Sequence, residues 1–191
     1  MTQLEKDNLL VDSWNKSLHA YGTSYAYELR YIKYRKLIRI LTFSGLVVPV
    51  ALGTIYAGYN NDKIILGWAL SISAFITVAQ GVFSLLSLSN SWSDSFAASS
   101  EAKSANHDLF REFEDLAKRP PATDSELLSK FTILSTIERA REQQDAKNPL
   151  SEKEQRRGMR WALRYFKRPC ATCNTVPTAM QPSKCDTCGN F

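Results

Sequence analysis

The chain has 191 residues, 44% of them hydrophobic and 23% charged, with a net charge of +5. Its mean hydropathy of −0.27 would suit a soluble protein, and its charge is too modest to name a partner. The averages therefore exclude a strongly polyionic chain and little else. Local apolar windows and the distribution of charge decide the class.

Residues 1–36 read as a cytoplasmic amphipathic helix. Apolar residues recur at Leu4, Val11, Trp14, Leu18, Tyr21, Tyr25, Leu29 and Ile32, a spacing of about 3.5 that favours a helix running straight into the first long apolar run. No short apolar core with a small-residue cleavage site precedes it, so no secretory signal is expected and the first span inserts directly. Two apolar runs come next, 37–59 and 64–88, separated by Gly58-Tyr59-Asn60-Asn61-Asp62-Lys63. A hydrocarbon core of about 30 Å needs about 20 helical residues, and both runs exceed that. They predict a two-helix transmembrane hairpin; the competing reading is a pair of core helices in a soluble protein. Arg30, Lys33, Arg35, Lys36 and Arg39 crowd the entry to the first span, whereas the inter-span turn carries only Asp62 and Lys63. Both termini are thus expected in the cytoplasm. Tyr31, Tyr34, Tyr56, Tyr59, Trp68 and Trp92 fall near the span ends, as an aromatic belt would.

Within the second span Ser73, Thr77, Gln80, Ser84 and Ser87 recur every three or four residues and share one side. Several copies around an axis would make this stripe a pore lining. Alternatively Ala69, Ser73, Thr77 and Gly81 form a small-residue series that packs helices closely, with the hydroxyls bonded to their own backbone. Pro49, between Gly45 and Gly53, suggests a kink.

Residues 94–118 predict a second cytoplasmic helix with Ala98, Ala102, Ala105, Leu109, Phe113 and Leu116 along one side, packed against the first. Pro120-Pro121 ends it. Residues 123–168 hold two further helices, opened by the capping-box patterns Thr123-Asp-Ser-Glu126 and Ser151-Glu-Lys-Glu154. The buried side of the first is expected to be Leu127, Leu128, Phe131, Leu134 and Ile137. Asn148-Pro149 separates the two, and the second is expected to run to about Lys167.

That last helix is basic. Lys153, Arg157, Arg160, Arg164 and Arg168 share a side, and Trp161 and Tyr165 adjoin them. Guanidinium groups would meet phosphates while bases stack on the rings, giving a nucleotide or oligonucleotide site. The same side would also rest on anionic lipid headgroups, or stand as a solvated cationic surface.

Residues 169–191 carry all four cysteines as Cys170-Ala-Thr-Cys173 and Cys185-Asp-Thr-Cys188, eleven residues apart. Two knuckles of this spacing complete a tetrahedral thiolate site, so a small zinc ribbon is expected with Zn²⁺ in a structural role, since four thiolates leave no open position. Disulfides or a redox centre are the competing readings, disfavoured by the cytoplasmic topology and the doubled motif. Asn174 and Gly189 follow the knuckles, where a left-handed backbone is expected. His19 and His107 are isolated and no nucleophile with a base is visible, so no enzyme is expected.

The order of long helix, hairpin and long cytoplasmic helix resembles the SLATT group of two-transmembrane bacterial immunity effectors, encoded beside nucleotide-generating enzymes and thought to form pores. Cys170, Cys173, Cys185 and Cys188 resemble the signature of the mobilome CxxCx(11)CxxC proteins, small membrane proteins of bacterial mobile elements. Such effectors resemble those of Hailong-type anti-phage systems, in which a partner nucleotidyltransferase makes an oligodeoxyadenylate that restrains a membrane channel. The resemblance implies an all-α, homo-oligomeric channel in the bacterial inner membrane, acting in abortive infection and controlled by a single-stranded DNA oligonucleotide or nucleotide signal. A membrane-anchored nucleic-acid or protein binding adaptor without conductance, or a lipid-sensing scaffold, would share these residues.

Overall fold

The computed structural model describes residues 1–59 and 63–191, without the side chains of Tyr59 and Lys63. The turn expected at Asn60, Asn61 and Asp62 lies outside the described residues, as does the belt position of Tyr59. The chain is all-helical, with 78% helix and no strand among the described residues. Its helices are α1 (Gln3–Tyr59), α2 (Lys63–Ser89), α3 (Trp92–Lys118), α4 (Asp124–Asp145) and α5 (Glu152–Tyr165). They form two compact units, Tyr31–Ala97 and a discontinuous unit of Met1–Arg30 with Ala98–Phe191.

In the discontinuous unit α1 packs on α3, as their spacing predicts, with the expected Tyr21 against Phe110 and His107 but with a ridge the spacing did not mark. The buried ridge of α1 is Ser13, Ser17, Ala20, Ser24 and Tyr27, facing Ala102, Leu109, Phe113 and Leu116. Leu4 and Val11 are 70% and 52% exposed and Ile32 is 38% exposed, which corrects the expected apolar stripe at its ends. Small hydroxylic residues let the backbones approach; Ser13 Oγ donates to the Leu9 carbonyl of its own helix at 2.8 Å, and the other two hydroxyls are satisfied across the contact. Ser17 Oγ donates to the Phe110 carbonyl at 3.2 Å and Ser24 Oγ to the Lys103 carbonyl at 3.0 Å. A buried hydroxyl without such a partner would be costly.

α5 crosses α1 even more closely. A Cβ on Gly22 would stand 2.9 Å from the Gly158 carbonyl oxygen, and one on Gly158 would overlap Gly22 itself. Ala26 and Ala162, each four residues beyond its glycine, are fully buried.

α4 buries a narrower side than expected, with Leu127 and Arg141 buried and Leu128 and Ile137 both 51% exposed. Its cap is only half of the predicted box. Thr123 accepts from the Glu126 amide, while the Glu126 carboxylate turns to Lys130 at 3.1 Å. Polar pairs extend this buried side: Lys16 to Glu138, and Arg141 to Asp145 and, at 2.9 Å, to Glu101.

Ser151 and Glu154 make the full reciprocal box that starts α5. Arg30 reaches this corner from α1, donating to the Asn148 and Pro149 carbonyls at 3.1 and 2.9 Å and to Glu154 Oε1 at 3.0 Å. Burial pushes the Glu154 carboxyl up, but hydrogen bonds from Arg30 and Ser151 outweigh it and hold the group down at about 2. α5 ends at Tyr165, two residues before the predicted Lys167. Lys167 itself is left-handed (φ 52°), and the Arg168 amide closes back on the Leu163 carbonyl at 3.0 Å, a helix stop that precedes Pro169.

The unit Tyr31–Ala97 joins the second half of α1 to α2. Both helices are long and apolar enough to cross a membrane. Their outer surfaces expose Phe43, Leu46, Val50, Ile64, Phe75, Val78 and Leu88, a larger apolar surface than soluble monomers usually show. Half-buried residues make the seam: Leu41, Ser44, Val48, Leu52 and Ile55 from α1, and Leu66, Ala69, Ser73, Ile76, Gln80, Ser84 and Ser87 from α2. Pro49 sits inside α1 with no break in the helix. Tyr31 stacks on Phe96 at 5.0 Å.

Candidate metal centre and cationic helix face

The four cysteine sulfurs lie within 4.8 Å of one another, the only such convergence of His, Cys, Asp or Glu ligand atoms among the described residues. Cys170 Sγ is 3.9 Å from Cys185 Sγ and Cys173 Sγ is 3.8 Å from Cys188 Sγ. Tetrahedral Zn–S bonds of about 2.3 Å place sulfurs about 3.8 Å apart, whereas a disulfide would bring a pair to about 2.05 Å. The separations thus fit a bound metal, and zinc suits the all-thiolate set. The thiol chemistry agrees. Backbone amides of Thr187 and Cys188 lower the Cys185 thiol to about 7, while burial and the neighbouring thiols push Cys188 well up. A cation at the centre would be held by Cys170, Cys173, Cys185 and Cys188 and would favour the thiolate form of all four.

No strand accompanies the cysteines among the described residues, so the expected zinc ribbon is two facing knuckles without a β ladder. The knuckles are near-copies. The Asn174 amide donates to the Cys170 carbonyl at 2.8 Å and the Gly189 amide to the Cys185 carbonyl at 2.9 Å. Thr172 and Thr187 share a hydrogen bond of 2.5 Å between their hydroxyls. Asn174 is left-handed (φ 52°) as expected; Gly189 is not, and is needed instead for space, because a Cβ there would lie 2.7 Å from the Ser183 carbonyl oxygen.

This tail is part of the unit's core. Cys170 and Cys188, each 1% exposed, cluster with Leu18 of α1 and Ala162 and Leu163 of α5. Arg160 clamps the tail, donating to the Ala179 carbonyl at 2.7 Å and the Cys188 carbonyl at 3.2 Å.

The structure therefore divides the predicted cationic set. Arg160 is spent on the tail, and Arg168 donates to Asn15 Oδ1 at 2.9 Å. Lys153, Arg157 and Arg164 are exposed on the side of α5 opposite buried Gly158 and Ala162. Trp161 stacks flat on Tyr25 at 4.3 Å, with the Arg164 guanidinium 5.7 Å from the Trp161 ring centre. Tyr165, 52% exposed, packs on Tyr21 at 4.5 Å. A small surface slot of about 240 Å³ opens between Trp161, Arg164 and Tyr165. A larger cleft of about 360 Å³ is lined by Glu138, Glu142 and Asp145 and by no lysine or arginine, so its charge disfavours a phosphate.

In α2 the predicted polar stripe falls largely on the seam: Ser73, Gln80, Ser84 and Ser87 are half-buried and Thr77 is exposed. Ser73 Oγ donates to the Ala69 carbonyl at 2.5 Å and Thr77 Oγ1 to the Ser73 carbonyl at 2.8 Å, so both hydroxyls are served by their own helix. Gln80 Nε2 is buried without a partner.

Sequence reasoning missed the Gly22–Gly158 crossing and the Arg30 corner. The first had a signal, since Gly22-x-x-x-Ala26 and Gly158-x-x-x-Ala162 are paired small-residue patterns. The second had none, because Arg30 sits in a run of cations and its partners are more than 100 residues away.

An all-helical chain with two membrane-length helices and a four-thiolate centre built from two CxxC knuckles defines a narrow class. The family model described as the mobilome CxxCx(11)CxxC protein matches residues 11–191, and the chain belongs to that family. No curated protein and no solved structure matches it.

Proposed function

We propose that this protein is an oligomeric two-span effector of the bacterial inner membrane, forming a channel in anti-phage defence of the SLATT and Hailong kind, with both termini in the cytoplasm. A single-stranded oligonucleotide or nucleotide made by a partner nucleotidyltransferase controls it from the cytoplasmic side. The observation that carries this reading is the exposed trio Lys153, Arg157 and Arg164 beside Trp161 and Tyr165, a phosphate and base surface in a chain whose other half is an exposed apolar hairpin. Phosphates pair with the guanidinium groups and bases lie over the rings. Gln80 marks a cost within the span, since its amide nitrogen is buried in the seam without a partner, a cost that water entry or a rearranged seam in an oligomer would relieve.

Ion-loaded liposomes containing the purified protein leak, and short single-stranded DNA changes the leak. Correctly inserted oligomers that stay tight with and without DNA would overturn the channel reading. One observation favours a second reading, a membrane-anchored adaptor without conductance: Ser73 and Thr77 already bond their own helix, so they need no water-filled path. The adaptor binds DNA through the same trio and passes no ions.

A further inference from the structure

The thiolate centre is unevenly shielded. Cys170 and Cys188 are each 1% exposed, Cys185 is half-buried and Cys173 is exposed. A surface cavity of about 440 Å³ opens on Cys173, Cys185 and Cys188, and Arg160 and Lys184 are the cations that line it. Susceptibility of a cysteine to oxidation follows its access, and of the four ligands Cys173 is the exposed one. The sulfur nearest to Cys173 for which the structure gives a separation is Cys188 Sγ, at 3.8 Å, on the other knuckle.

We propose that Cys173 is a modification site for hydrogen peroxide, and that its oxidation expels the metal by forming a Cys173–Cys188 disulfide across the knuckles. The Cys173 thiolate attacks the peroxide, cleaving the O–O bond and giving a sulfenic acid and hydroxide. The Cys188 thiolate then attacks that sulfur, the S–S bond forms, and a second hydroxide leaves. Two thiolates lose two electrons to one peroxide, which is reduced to two hydroxides. Arg160 and Lys184 flank the cavity through which the hydroxides leave. The pair must close from 3.8 Å to about 2.05 Å, so neither sulfur stays on the metal and the centre keeps only two ligands. Cys188 belongs to the cluster of Leu18, Ala162 and Leu163, so metal loss reaches the contact of α1 with α5. This rests on the thiolate centre alone and is independent of the channel reading.

The test uses the full-length zinc-loaded protein in detergent, titrated with hydrogen peroxide. Zinc release is followed with a chromogenic chelator, and linked peptides are mapped by mass spectrometry after alkylation. One zinc leaves per chain as the Cys173–Cys188 peptide appears, with Cys170 and Cys185 still alkylatable. Lys184→Glu, which keeps all four ligands and hence the bound zinc, slows release severalfold. A first disulfide within either CxxC pair, zinc retained at several equivalents of peroxide, or release unaffected by Lys184→Glu with zinc content intact would each overturn the proposal.

Discussion

Gly22 and Gly158 meet backbone to backbone, so that a methyl group on either would occupy space the other already fills. The contact sets how α5, and with it the cysteine tail, lies on α1. It also yields a test with a definite sign. Glycine in a helix costs about 1 kcal/mol relative to alanine, so Gly→Ala at an open helical site stabilises. Gly158→Ala is expected to do the reverse and destabilise by about 1–3 kcal/mol, as overpacking does. Gly53→Ala, with nothing within 4 Å, is the neutral or stabilising control. Thermal melts of the two variants against the parent measure the difference.

Metal removal is expected to unfold more than a tail. Native mass spectrometry should find one zinc per chain, lost on chelation. Because Cys170 and Cys188 lie in the same cluster as Leu18 and Leu163, chelation should also change the fluorescence of Trp161, which stacks on Tyr25 of α1. Cys170→Ser and Cys188→Ser are expected to be the most damaging ligand changes, since each leaves a buried polar group as well as an incomplete site.

The Arg30–Glu154 pair gives an acid limb. The Glu154 carboxyl is held at about 2 against an ordinary 4.5, so its contribution is complete above about pH 4.5 and drains away as pH falls toward 2. After solvent screening it is on the order of 1–2 kcal/mol. Denaturant melts between pH 5 and 3 should show a shallower loss of stability in Glu154→Gln than in the parent, although the variant starts lower.

Gln80→Leu separates assembly from packing. If the amide serves a path or a neighbouring copy, the variant changes ion flux in liposomes. If it serves nothing, replacing an unpartnered buried amide with an apolar side chain stabilises the hairpin and leaves flux alone. Flux and thermal stability measured on the same sample distinguish the two.

Among the cations, Arg157→Glu and Arg164→Glu are expected to weaken binding of a fluorescent single-stranded DNA by tenfold or more and to flatten its log–log salt dependence. Arg160→Gln is expected instead to lower the melting temperature, because its guanidinium holds the Ala179 and Cys188 carbonyls. Anisotropy titrations at several salt concentrations, alongside melts, assign each arginine.

The helices were legible where one physical signal dominates. Apolar length marked the second half of α1 and all of α2, the Ser151–Glu154 box marked the start of α5, and CxxC spacing marked the metal ligands. Legibility failed where serine and glycine act through backbone contact. Ser13, Ser17 and Ser24 are polar by composition yet form the ridge of α1, because hydroxyls that bond a neighbouring carbonyl are cheap to bury. The cationic side of α5 was half legible. Its residues share a surface, but periodicity could not reveal that Arg160 would be consumed by a turn lying 19 to 28 residues further along.

One unit is assembled from Met1–Arg30 and Ala98–Phe191, on either side of the intervening span-bearing segment. The serine ridge and Leu18 of α1 therefore emerge from the ribosome well before the partners that cover them. At ~5–20 residues per second, roughly 8 to 32 s of translation separates Arg30 from Cys188. The serine ridge is covered once α3 is made, whereas Leu18 waits for Ala162, Leu163, Cys170 and Cys188. Arrival of the final knuckle, with its metal, is the event that closes the fold, so scarce zinc would register first in newly made copies.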